Sequence, residues 1–143
     1  MIISDIHKSI SDTIKEKFSI PCYSRDTKEG AKKPCFFIEI NIDSIERDNK
    51  AYDNYSIQIE LTYVSTKRDD VLFYDIIDKM TNLYKHYIKV NKRWLHVSSF
   101  DVNYVGDNDE QLSFFIETQF KDINETIETD EIMNDMNLDI VGG

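Results

Sequence analysis

The chain has 143 residues, 41% of them hydrophobic and 12% aromatic, which is enough for one domain with a proper core and excludes wholesale disorder. Its four glycines, two of them closing the chain, cannot build the glycine-rich loops that cradle phosphates, so the common nucleotide-binding routes are excluded. A net charge of −10 argues against nonspecific nucleic-acid binding, which needs basic surface. With no apolar run near the ~20 residues of a membrane span and no leader pattern, a soluble intracellular chain is expected.

Ile3, Ile6, Ile10, Ile14 and Phe18 recur at steps of three and four. That spacing predicts a helix over 4–18, capped by Ser4 or Asp5 and stopped by Pro21. A short strand is expected at 22–24, followed by a polar loop over 25–33 in which Gly30 is the flexible point. From Pro34 the period falls to two. Phe36, Ile38, Ile40 and Ile42 share one face, and beyond a polar turn at 46–51 so do Tyr55, Ile57, Ile59, Leu61 and Tyr63. Two such runs read as a long, half-buried antiparallel hairpin.

Asp69 and Asp70 then open a second helix, where the helix dipole favours acids. Its expected stripe is Leu72, Ile76, Met80, Leu83 and Tyr87, widened by Phe73, Ile77 and Tyr84, with an end near 87–89. A second hairpin follows, from strands over 93–104 and 111–121 around a turn at 106–109. This order predicts an α+β fold: a mostly antiparallel sheet of about four to five strands, packed on one face by two helices. Residues 1–121 are expected to form this single domain.

Residues 122–143 differ in kind, with seven acids and no Lys or Arg, which leaves the rest of the chain at only −3. Ile132, Met136 and Ile140, with Met133 between, make one narrow helical stripe among those acids. So little apolar surface does not hold a segment folded by itself. A solvated terminus is the plain expectation; the sharper one is an acidic extension docked on a partner chain.

Residues that carry chemistry are sparse. His7, His86 and His96 sit on different elements without ligand-like spacing, and are expected at the surface or at edges. Cys22 and Cys35 are expected as free thiols. The stretch from Asp101 to Gly106 imitates a calcium loop but places Val105 and Leu112 where oxygen ligands are needed. The short basic clusters Lys28/Lys32/Lys33 and Lys89/Lys92/Arg93 read as solvated loops. Trp94, the sole tryptophan, reads first as a core anchor and second as an interface anchor beside Arg93. No catalytic residue, cofactor or metal site is expected, and the chain is not expected to be an enzyme.

Several segments together resemble one family. They are the opening helix, Pro21-Cys22-Tyr23, the run Lys33-Pro34-Cys35-Phe36-Phe37-Ile38, the turn from Arg47 to Tyr52 leading into Tyr55-Ser56-Ile57, and Leu112-Ser113-Phe114-Phe115-Ile116. Over about residues 2–121 the chain resembles small phage tail terminator proteins from prophages and phage-like elements of Gram-positive bacteria. The resemblance implies structural work in a virion or phage-tail-like particle, assembled in the bacterial cytoplasm. Such proteins form a ring, generally of six copies, on the head-proximal end of a tail tube. The ring stops polymerisation, offers a surface to a head–tail connector and, in contractile tails and phage-tail-like bacteriocins, anchors the last sheath ring. The implied partners are further copies of the chain, the tube protein and, where present, sheath or connector, with no sequence-specific nucleic acid and no membrane. Arg47, Tyr52, Trp94, Ile132, Met136 and Ile140 are the candidate interface residues. A tail completion or head–tail connector protein is the alternative within the same class. A small ligand-binding module using the sheet's open face is the alternative outside it, and a metal-independent hydrolase comes third.

Overall fold

The computed structural model describes residues 2–24, 32–107 and 109–123. The helices are α1 (Ile2–Phe18) and α2 (Asp70–Tyr84). The strands are β1 (Cys22–Ser24), β2 (Cys35–Arg47), β3 (Tyr52–Val64), β4 (Tyr87–Val90), β5 (Arg93–Val105) and β6 (Gln111–Ile123). They form one sheet in the order β1-β2-β3-β6-β5-β4. Among the described residues only the β1–β2 pair is parallel. The α+β architecture with both helices on one face agrees with expectation, but among the described residues the strands number six and the sheet is mixed.

Alternation decides which side chains meet the helices. Phe36 and Ile38 of β2, Ile57, Ile59 and Leu61 of β3, and Leu112, Phe114 and Ile116 of β6 all point to the helical side and are buried. Against them α1 lays Ile6, Ile10 and Ile14, each fully buried. From α2 come Phe73, Ile76, Met80 and Tyr84. This stripe is rotated from the expected one, since Leu72 is 40% exposed while Phe73 is buried against Tyr63 in an edge-on ring contact at 5.8 Å. The larger aromatic takes the core position. Asp69 caps the helix as anticipated, its carboxylate accepting from the Leu72 N–H at 3.2 Å.

The second correction concerns residues 85–90. The helix ends at Tyr84, and Tyr87 stands on β4, 48% exposed. Ile88 and Val90 are buried while Tyr87 and Lys89 are not, so the period has already become two. Asn91 takes a left-handed conformation at φ 55, a choice open to asparagine at low cost, and turns the chain into β5 within two residues. A bulge between Val97 and Ser99 then interrupts the β5–β6 register. The turn at 106–109 is described apart from Asn108, with Gly106 at φ +93, where an L side chain would be strained. Among the described residues no helix is long and apolar enough to cross a membrane.

Tyr84 makes the core sensitive to alkali. Its hydroxyl is buried with no well-formed hydrogen bond, Thr13 being the polar group that faces it. Desolvation pushes its pKa up to about 12. The unfolded chain, with an ordinary tyrosine near pH 10, loses that proton first, so stability falls as pH rises from about 10 to 12. We expect Tyr84→Phe to be near neutral at pH 7 and to lessen this alkaline loss, which should reach roughly 2–3 kcal/mol at most. Urea titrations at neutral and alkaline pH check it; identical alkaline slopes in the two proteins would refute the assignment.

Candidate assembly surfaces

The β2–β3 turn and the last residues of β6 meet at one end of the sheet, since Tyr52 stands opposite Ile123 and Asp53 opposite Asp122. Asn49 shapes the turn: its side-chain oxygen accepts from the N–H groups of Ala51 (2.9 Å) and Tyr52 (3.0 Å), an Asx arrangement natural to asparagine. This sets Arg47 and Tyr52 at the tip, both exposed. Lys121 bridges back to Asp48 at 2.8 Å, and this hydrogen bond and charge hold the Asp48 carboxyl below its usual range. Just inside the tip, Tyr55 and Phe120 stack at 5.1 Å and 4°.

On the same side Ile42 and Ile45 are each 48% exposed. A register shift between Ile42 and Ser44 brings both isoleucines to the helical side. The sequence held a signal for this: a step of three from Ile42 to Ile45 breaks strict alternation and marks the bulge.

A second surface lies on the β4–β5 hairpin at the same end. Trp94 is 62% exposed, which overturns its first reading as a core anchor. Leu95 next to it is buried, so alternation turns Trp94 outward. Its ring meets Tyr87 edge-on at 6.2 Å and carries the Lys89 ammonium 5.3 Å from its centroid. Arg93 points the other way and ties the hairpin to β6. It donates to the Lys121 carbonyl at 2.6 Å and to the Asp122 carboxylate at 2.8 Å, with its guanidinium over the Phe120 ring. The structure thus places Arg47, Tyr52 and Trp94 at one end of the sheet. Ile132, Met136 and Ile140 lie outside the described residues.

The face away from the helices is open. A concavity of about 490 Å³ there is lined by Lys33, Cys35, Phe37, Thr62, Ser113 and Phe115 among others, and the Thr62 and Ser113 hydroxyls share a 3.1 Å hydrogen bond across its floor. Cys35 and Cys22 are free and buried, and desolvation raises both thiol pKa values, keeping the nucleophilic thiolate scarce. His86 and His96 are exposed and His7 is half-buried on α1. Among the described residues no group of three His, Cys, Asp or Glu is placed to hold a metal.

No curated protein matches the chain in sequence. One solved structure covers 86% of this chain and 93% of its own at a TM-score of 0.48 and 13% identity. The family described as phage tail terminator protein matches residues 5–130. That span takes in nearly all of α1, every strand and the start of the acidic segment, and the chain therefore belongs to the phage tail terminator family.

Proposed function

We propose that this chain forms a ring, of six copies by resemblance, that caps the head-proximal end of a tail tube, stops its polymerisation and presents a docking surface to a sheath or head connector. Family membership over residues 5–130 carries this reading, and it already implies structural work in a phage tail. The surfaces at one end of the sheet support it. The Arg47/Tyr52 tip and the Trp94 hairpin are different patches, and contacts between unlike patches of identical subunits close into rings when the rotation permits. Exposed tryptophan, tyrosine and arginine are the side chains enriched at binding hot spots. The acidic segment 122–143 is an extension that docks on a neighbouring chain in the assembled particle.

The test is positional. Gold-labelled protein added to purified tubes should decorate one end, and tubes grown in its presence should stop there. Label spread along the tube wall, or absent from both ends, would end the proposal.

A further inference from the structure

Within a chain of net charge −10, residues 85–96 contain Lys85, Lys89, Lys92 and Arg93, two histidines and no acid. Among the described residues Lys85, Lys89 and Lys92 form no ion pair; only Arg93 does, with Asp122. The register pairs Tyr87 with His96 and Lys89 with Trp94, so these four share the outer face of the hairpin. The result is a basic rim around an exposed aromatic pair, a surface suited to an acidic peptide with occasional apolar side chains.

We propose that this face of the β4–β5 hairpin receives the acidic C-terminal segment, residues 124–143, of an adjoining copy. The proposal rests on the ring reading above and names one of its contacts. The segment has six acids and no Lys or Arg, with Ile132, Met136 and Ile140 among them, which complements the hairpin in both charge and apolarity. Where it begins also matters. β6 ends beside the hairpin turn, with Asp122 and the Lys121 carbonyl held by Arg93 on the helical side of β5, whereas Tyr87 and Trp94 lie on the opposite side. Reaching its own Trp94 face would require the segment to pass around the hairpin to the other side of the sheet. Continuing outward, 20 residues span at most about 65 Å, against a radius of gyration of about 14 Å for a domain of this length. An adjoining molecule is within reach.

Because Trp94 is the sole tryptophan, its fluorescence reports the contact without a label. In the full-length protein at low salt, emission should move to shorter wavelength as concentration rises, in step with growth in sedimenting mass. High salt should abolish both. A synthetic peptide of residues 124–143, added to dilute protein, should reproduce the emission shift without restoring mass. The double variant Lys89→Glu/Lys92→Glu should bind that peptide at least about tenfold more weakly, or 1.4 kcal/mol, while keeping its circular dichroism. Three results would overturn the proposal: no emission change with peptide at low salt, equal peptide binding by the double variant, or a shifted emission that persists on dilution to monomer, which would mean docking on the same chain. Tighter binding of a DNA duplex than of the peptide at equal salt would also overturn it, by assigning the surface to nucleic acid. Peptide binding without gold label at tube ends would fault the ring reading alone, and label without peptide binding would fault this contact alone.

Discussion

Replacing Phe36 with alanine should destabilise the protein by about 3–5 kcal/mol, the cost of removing a fully enclosed aromatic ring together with the cavity left behind. Phe36 is 0% exposed, with ring centroids of Phe18 at 5.0 Å and Tyr63 at 5.2 Å. It therefore joins α1, β2 and β3 at one point. Its backbone N–H also donates to the Pro21 carbonyl at 2.9 Å, so the strand cannot slide to fill the void. A domain of this size holds only about 5–15 kcal/mol in total, so the loss is a large share of it. Ile45→Ala on the half-exposed surface should stay within about 0.5 kcal/mol. Urea midpoints with unchanged slopes test both; a Phe36→Ala loss under about 1 kcal/mol would contradict the described core.

Much of this architecture was legible because single periods ran long. The isoleucines of α1 and the alternation in β2, β3 and β6 each repeat often enough to fix a face, and Asp69 marks its helix by capping chemistry. The failures lie where signals are short. Four residues of β4 continue what looks like a helical stripe through Tyr87, and only the burial of Ile88 and Val90 separates the two periods. The parallel partnership of β1 rests on three residues and on where α1 delivers the chain, which is a tertiary fact. Trp94 misled for a different reason: composition favours tryptophan indoors, whereas its parity relative to Leu95 sends it out. Parity was readable, but only once β4 was recognised. At the candidate assembly end, Arg47 and Tyr52 are singled out by resemblance, and nothing local to Arg93 announces that it holds Asp122.

Particles assembled without this chain should carry tubes of uncontrolled length, many running far past the normal end. A tube grows by adding like rings to like, so each new end presents the surface that the previous one did. Growth stops only when a ring with a different outer surface occupies that end, which is the role proposed for this chain. Electron micrographs of particles from a strain lacking the gene, with and without a restoring copy, measure the length distribution. Lengths that stay uniform without the protein would remove termination from its duties, whatever its position in the particle.

The place of β6 governs how the protein can be made. It is the last of the described strands, yet it lies between β3 and β5 and pairs with both along most of its length. Until residue 123 has left the ribosome, the nascent chain holds two half-sheets, each with a long apolar edge waiting for the same strand. Folding cannot close progressively from the N-terminus. It finishes in one late insertion dominated by distant contacts, a topology associated with slow folding and with exposure of unpaired strands in the meantime. A stalled or truncated translation product ending before Gln111 should therefore be recovered with chaperones or in inclusion bodies, whereas the full chain should be recovered free.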